Sequence, residues 1–309
     1  LDISAKPHPT KPHLVNLSYT PQSPRFDQFV RQARGLVVDV KNQTVVSKPM
    51  PRFFNVHESP DPFDYTNFTA ATKRDGSLLV VSWHDGGWLV STSGGWGDRC
   101  VGKSNKTYEQ WFHDLKPFGL NRNLTYCFEL CVPANKIVTR YDRPKLYMLA
   151  SFDPKTCEEV PLTNPAYDNI FYSLEDVQGY LDAILKLNPT VEGMVLKSGP
   201  HRVKLKTPLY RRLHKLWANG TIHEPKVIAQ YIVEGHYNDL MIYFPEVKAD
   251  QIKRQIEDVE AEILAIKDQY QHLDDRQYAD MAKKHPFHYL LFAARKGKLN
   301  HNMICETLF

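Results

Sequence analysis

The chain has 309 residues, 42% of them hydrophobic, enough to bury a full core and long enough for two domains. Its formal charge is only +4, so a polyanionic partner has to be met by a local basic patch rather than by a field over the whole molecule. No apolar run could span a bilayer, and five cysteines without a CxxC pair speak for free thiols in a reducing compartment rather than a disulfide framework or a structural zinc site.

A cytoplasmic protein without a membrane partner is therefore expected. The sequons at Asn16, Asn42, Asn67, Asn105, Asn123 and Asn219 read as chance. The chain opens on Leu1 without a methionine, which leaves room for a removed N-terminal segment.

Residues 1–30, rich in Pro and His and short of periodic apolar positions, read as an irregular lead-in. From Gly35 to about Arg212, β-type runs dominate: Leu36–Val40, Leu78–Trp83, Trp88–Ser91, Thr125–Cys131, Lys145–Phe152, Gly193–Lys197 and Arg202–Lys206. Helices interrupt them at about Lys106–Leu115 and at Leu174–Leu187. In the second, Ser173 and Asp176 resemble a capping box, and Val177, Leu181, Ile184 and Leu185 share a face. Past Tyr210 the spacing becomes helical, with Pro225, Pro245 and Pro286 as starts or breaks. Ile252, Ile256, Val259, Ile263, Ile266 and Tyr270 form a seam for a neighbouring helix. The expected class is α+β: an antiparallel-sheet-rich domain over residues 1–213, followed by an all-helical domain over residues 214–309.

Lys73-Arg74-Asp75-Gly76-Ser77 stands just before the strand Leu78–Val81. Alone it would be a solvated turn. It belongs, however, to an ordered set. Arg34-Gly35-Leu36-Val37 and Lys48-Pro49-Met50-Pro51-Arg52-Phe53-Phe54-Asn55 precede it. Ser93-Gly94-Gly95, Cys127-Phe128-Glu129-Leu130 with Pro133 to Val138, Val191-Glu192-Gly193-Met194-Val195-Leu196-Lys197, and Val203-Lys204-Leu205-Lys206 with Tyr210 follow it. Together these resemble the covalent nucleotidyltransferase superfamily, whose catalytic domain is ATP-grasp-like. The flanking stretches look like the RNA ligase 1 family typified by the T-even phage enzyme. The resemblance covers most of residues 14–212 and is faint in the helical tail.

It implies an ATP-dependent RNA ligase that carries AMP on Lys73. A lysine amine has a pKa of about 10.4 and is normally protonated, so a nucleophilic role needs cations and desolvation around it. Lys204 and Lys206, two apart on a strand, point to one face and could supply that field and hold the phosphates. By resemblance, Arg34 and Arg52 meet the triphosphate or the RNA 5′-phosphate, and Phe54 stacks on adenine or lines its pocket. Glu129 holds the ribose and Glu192 the divalent metal, Mg²⁺ with Mn²⁺ as a substitute. Asp75 and Gly76 shape the loop against the nucleotide; Lys197 and Tyr210 complete its surroundings. Each side chain also has a plainer reading, as a surface charge, a strand-edge acid or a core ring. Where the family's third motif often carries a lysine, this chain has Thr92-Ser93-Gly94-Gly95, with Arg99 and Lys103 close enough to substitute and Trp96 free to pack or stack.

The implied partner is RNA with 5′-phosphate and 3′-hydroxyl ends, as in RNA repair, with nicked tRNA one such substrate and a monomer as the acting species. Arg140, Arg143, Arg202, Arg211 and Arg212 are candidate contacts. The competing readings are a DNA ligase or a GTP-using capping enzyme, whose catalytic domain is followed by a β-barrel rather than by helices, and a non-catalytic RNA-binding relative. The intact lysine, both glutamates and the Lys204/Lys206 pair argue against the last.

Overall fold

A computed structural model describes residues 2–135, 138–162, 169–171, 173–218, 220–245 and 247–309; of the positions named above, Leu1, Asn219 and residues 136 and 137 of the Pro133 to Val138 stretch lie outside them. The chain divides into two compact units, Leu1–His214 and Lys215–Phe309.

The first unit begins with β1 (Ile3–Pro7), β2 (Leu14–Tyr19), helix α1 (Gln28–Gln32), β3 (Arg34–Asp39) and β4 (Thr44–Ser47). The four strands form one antiparallel sheet in chain order. The irregular lead-in expected for residues 1–30 is thus corrected: it holds two strands and a helix. The cause lies in the inward row of β2, Leu14, Asn16 and Ser18, two of which are polar. Asn16 is fully buried and donates through Nδ2 to the carbonyls of Thr92 (3.3 Å) and Gly95 (3.1 Å), while Ser18 Oγ donates to Asn16 Oδ1 at 3.0 Å. A strand whose core face is satisfied by hydrogen bonds shows no apolar alternation.

The chain continues through β5 (Phe54–Asn55), β6 (Phe68–Lys73), β7 (Ser77–His84), β8 (Gly87–Thr92), β9 (Gly95–Trp96), α2 (Tyr108–Leu115), β10 (Thr125–Cys131), β11 (Lys145–Phe152), β12 (Glu159–Val160), β13 (Asn169–Phe171), α3 (Leu174–Leu187), β14 (Gly193–Ser198), β15 (His201–Lys206) and α4 (Pro208–Ala218). One sheet has the order β12-β11-β10-β7-β8-β9 and is antiparallel throughout. The other has the order β13-β6-β14-β15-β5, antiparallel except for the β15–β5 pair.

Strand alternation builds the core. Leu79 and Val81 of β7 face Phe112 of α2 and Phe128. Their neighbours Leu78 and Val80 face Met50, Cys127 and Ala150 on the opposite side. Helix α3 covers the five-stranded sheet, setting Val177 and Leu181 on Phe68, Ala70, Met194 and Leu196. Ser173 caps α3, its Oγ accepting from Asp176 N at 3.1 Å, but it spends its own hydroxyl proton on Asp176 Oδ2 at 2.8 Å. The reciprocal half of a capping box is made instead at α2, between Thr107 and Gln110.

Within the second unit the described residues form helices and no strand. Pro225 opens α5 (Pro225–Tyr231); a wide turn at Ile232–His236, with Gly235 at φ 85°, leads into α6 (Tyr237–Tyr243). The long α7 (Ala249–Gln269) buries Ile252, Ile256, Val259 and Ile263. This stripe packs against α5, α9 (His288–Arg295) and α10 (His301–Leu308), with α8 (Asp275–Ala282) beside α9. Among the described residues no helix is long and apolar enough to cross a membrane.

Candidate active site

Lys73 ends β6 and Ser77 begins β7, so Arg74–Gly76 carry the chain from the five-stranded sheet to the six-stranded one. Gly76 lies so close to β10 that a Cβ there would stand 2.4 Å from the Leu130 carbonyl oxygen. Its amide donates to Glu129 Oε1 at 3.1 Å.

Strand register assembles the rest. Gly193 pairs with Lys73 on one side and with Lys206 on the other. It adopts φ 147°, and a Cβ would meet the Leu205 carbonyl oxygen at 1.9 Å, so only glycine fits. The residue before it, Glu192, is 3% exposed and accepts from Lys73 Nζ at 2.7 Å and Lys206 Nζ at 2.8 Å, one lysine per carboxylate oxygen. Three residues far apart in sequence become one lysine–carboxylate–lysine group because β14 lies between β6 and β15.

The group borders a cleft of about 1060 Å³ lined by Arg34, Arg52, Phe53, Lys73, Arg74, Glu129, Lys145, Lys204 and Lys206 among others. Among the described residues Glu129 is the one carboxylate in that lining, against seven cations. Desolvation, with a smaller push from Glu192, raises the Glu129 carboxyl to about 7 against the pull of Lys73 and Arg34. Lys204 is pushed down to about 8, first by burial and then by Arg34, Lys73 and Lys206. It has no carboxylate partner among the described residues; its ammonium sits 5.4 Å from the centre of the Phe53 ring. Among the described residues Arg34 Nη1 is buried without a hydrogen-bond partner, a donor held ready for an anion.

Of the residues expected at the nucleotide, Arg34, Arg52, Lys73, Glu129, Lys204 and Lys206 line the cleft, and Glu192 stands behind two of them. Gly76 lies against β10 outside the lining, and four more take other places. Phe54 is 3% exposed on β5, between Phe26 and the guanidiniums of Arg25, Arg31 and Arg52; its neighbour Phe53 presents a ring to the cleft. The two alternate across a strand edge, and nothing in Phe-Phe reveals which one faces inward. Lys197 pairs with Glu159 at 2.7 Å, outside the lining. Asp75 is buried and acts as a clasp: Oδ2 accepts from Val138 N (2.9 Å) and Thr139 N (2.8 Å), and Oδ1 accepts from Tyr210 Oη at 2.7 Å. Tyr210, 2% exposed, thereby positions the Lys73 loop from beneath.

The substitutes for a third-motif lysine are also elsewhere. Arg99 reaches Thr92 Oγ1 at 3.4 Å, and neither it nor Lys103 lines the cleft. Trp96 packs, its indole donating to the carbonyls of Lys6 (3.2 Å) and Pro7 (3.0 Å). Arg202, a candidate RNA contact, is 6% exposed and bonded to Glu159. Residues not anticipated include Tyr141, whose hydroxyl accepts from Asp75 N at 3.0 Å, and Tyr147, which carries Arg74 (4.4 Å) and Lys145 (4.8 Å) over its ring in the cleft wall. The proximity of Arg74 to Lys73 in sequence was the available signal.

A strand-end lysine bonded to a buried carboxylate, with further lysines along a cleft lined by strands of both larger sheets, is an arrangement suited to holding the phosphates of a nucleotide. Residues 32–210 match the RNA ligase family of the T-even phage type, and the chain belongs to that family. It is 27% identical over 273 residues to a protein of Autographa californica nuclear polyhedrosis virus provisionally named a bifunctional polynucleotide kinase/RNA ligase, covering 78% of this chain and 39% of that one. It is 25% identical over 233 residues to a protein of Thermovibrio ammonificans provisionally named an RNA ligase, covering 65% and 58%. The chain thus spans less than two thirds of either relative. Among solved structures, an archaeal ATP-dependent RNA ligase aligns over 99% of this chain and 75% of its own, at 12% identity and a TM-score of 0.48.

Proposed function

We propose that this chain is an ATP-dependent RNA ligase that joins 5′-phosphate and 3′-hydroxyl ends through AMP carried on Lys73. The observation that carries the reading is the placement of Lys73 Nζ on Glu192, beside Lys206 and Lys204, at a cation-lined cleft. In the first step Nζ attacks the α-phosphorus of ATP. An N–P bond forms, the bond to the β-phosphate oxygen breaks, and pyrophosphate leaves. The proton on Nζ departs along its 2.7 Å hydrogen bond toward Glu192. Lys204, Lys206 and Arg34 hold the phosphate oxygens, so catalysis rests on position and fixed charge. Glu129 accepts from the ribose, and Phe53 offers the base a ring. An RNA 5′-phosphate oxygen then takes AMP from Lys73, and the amine regains its proton. Attack by an RNA 3′-hydroxyl on the resulting RNA-adenylate finally releases AMP.

Both Glu192 oxygens are held by Lys73 and Lys206, so Glu192 would reach a hard divalent cation only when Lys73 turns from Oε2 to the nucleotide, with substrate oxygens and waters completing the shell, as Mg²⁺ prefers and Mn²⁺ tolerates. When bound, such an ion supplies charge neutralisation at the α-phosphate and the leaving group. Residues 214–309 are assigned to RNA substrate recognition, and the acting species to a cytoplasmic monomer on RNA breaks such as nicked tRNA. The five free thiols suit a reducing compartment.

Incubation with ATP labelled at the α-phosphate tests the core of this reading. The unmodified chain should retain label through denaturation, while Lys73→Ala should lose it at least a thousandfold with an unchanged melting temperature. Undiminished labelling of Lys73→Ala would sink the nucleophile assignment, and a stable GMP adduct in place of AMP would reject ATP.

A further inference from the structure

A second group of donor atoms meets at the other end of the strands that build the cleft. His13 immediately precedes β2, Asp39 closes β3 and His84 closes β7. One ring nitrogen of each histidine and one Asp39 oxygen all lie within 4.8 Å of one another. Arg34 and Ser77 occupy the opposite ends of β3 and β7, so at about 3.3 Å per residue the cluster stands roughly 16–23 Å away from them.

Backbone pairing holds the group together. Leu14 pairs with Asp39, and Val40 N donates to the His13 carbonyl at 2.9 Å. Asp39 is 2% exposed. Its Oδ1 accepts from Lys41 N (2.9 Å) and Asn42 N (3.0 Å), and Oδ2 accepts from Asn42 Nδ2 (2.8 Å). These bonds explain Asp39 as the opening residue of the β3–β4 turn, yet they leave a lone pair on Oδ2. A turn has no need of two imidazoles. Both rings are half-buried. His84 Nε2 lies 3.5 Å from Asp85 Oδ2, and Asp85 is itself matched by Lys11 at 3.0 Å.

We propose that His13, Asp39 and His84 form a structural site for one transition-metal ion of the zinc type, with Asp85 or water as the fourth ligand. Imidazole nitrogen with carboxylate oxygen is a donor set for such borderline ions, whereas Mg²⁺ takes oxygen. Ligand atoms about 2.0–2.1 Å from zinc stand roughly 3.4 Å apart, a spacing that modest rotation of two half-buried rings achieves. The carboxylate needs no such adjustment, because its turn already fixes it. The ion would join the ends of the two central strands of the four-stranded sheet to the β7–β8 hairpin of the six-stranded sheet, stabilising the first unit without touching the lysine cleft.

The test is to strip the full chain with a chelator and titrate it with Zn²⁺ and with Co²⁺. One equivalent should bind, with a visible tetrahedral Co²⁺ band and a higher melting temperature. Both signals should vanish in His13→Gln and in His84→Gln, whose metal-free forms should melt with the metal-free parent, while Glu192→Gln keeps them. Zn²⁺ should also protect His13 and His84 of the unmutated chain from diethyl pyrocarbonate, read by mass spectrometry, which serves even where a variant fails to fold. No saturable binding, a Co²⁺ band that persists in either folded histidine variant, or unprotected histidines at saturating Zn²⁺ overturns the proposal.

Discussion

Glu129 and Lys204 face one cleft with opposite departures from their ordinary behaviour. Glu129 holds its proton up to about 7, chiefly through desolvation, and Lys204 gives its own up at about 8, through burial and three neighbouring cations. A ribose hydroxyl is best accepted by an ionised Glu129 and a phosphate best held by a charged Lys204. Adenylation by this protein is therefore expected to rise as pH passes about 7 and to fall as it passes about 8. The stability signs follow from the same two groups. The raised Glu129 favours the folded state below its unfolded value of 4.5, and that contribution is lost as pH climbs to about 7. The lowered Lys204 penalises the folded state below about 8, and the penalty is relieved as pH climbs toward 10.5. The two therefore support the fold least in the window where the chemistry runs best. Single-turnover adenylation against pH checks this: Lys204→Arg should carry the alkaline limb upward, and Glu129→Gln should remove the acid limb. Limbs that stay in place in both variants would refute the assignment.

At the scale of elements, the site depends on β14 lying between β6 and β15. Gly193 is the joint of that arrangement, at φ 147° and with Leu205 and Lys206 backbone in the space a side chain would need. Gly193→Ala is expected to cost about 2–3 kcal/mol from backbone strain and overlap together, and to part Glu192 from Lys206. The measurements are a urea melt and the adenylation assay, and activity should fall further than the loss of folded protein explains. An alanine variant with parental stability and labelling would show that the pairing tolerates a side chain. The sequence located β10 and β11 to the residue and α3 at both ends, because the strands are dense in aromatic and aliphatic residues and α3 has an apolar stripe behind an N-cap serine. It missed β2, where Asn16 and Ser18 occupy the core row, and β6, whose six residues alternate too weakly to announce a strand. The second miss affected the site, since Lys73 ends a strand of its own instead of leading into β7.

Over the whole molecule the charge sums to only +4, yet among the described residues seven cations share one cleft with a single lining carboxylate. RNA binding should accordingly be salt-dependent. At about 0.7 log units of affinity per decade of salt for each phosphate held, four or five contacts predict roughly a hundredfold loss between about 50 and 200 mM. Titration of a labelled 5′-phosphorylated RNA at several salt concentrations reads this slope directly, and a flat response would exclude the cleft as an RNA site. The sequence by itself determined the family motifs in their order, Lys73 as their centre, the paired lysines on one strand face, and a sheet-rich region giving way to helices. Those features are local: they live in residue type, in spacing along a strand and in helical period. Only the tertiary structure decided that Glu192 bridges Lys73 and Lys206, that Phe53 rather than Phe54 faces the cleft, that Asp75 and Tyr210 clasp the loop from beneath, and that Lys197 and Arg202 are spent on Glu159. Each of these depends on which strands become neighbours and in what register, and a chain read residue by residue does not contain its own pairings.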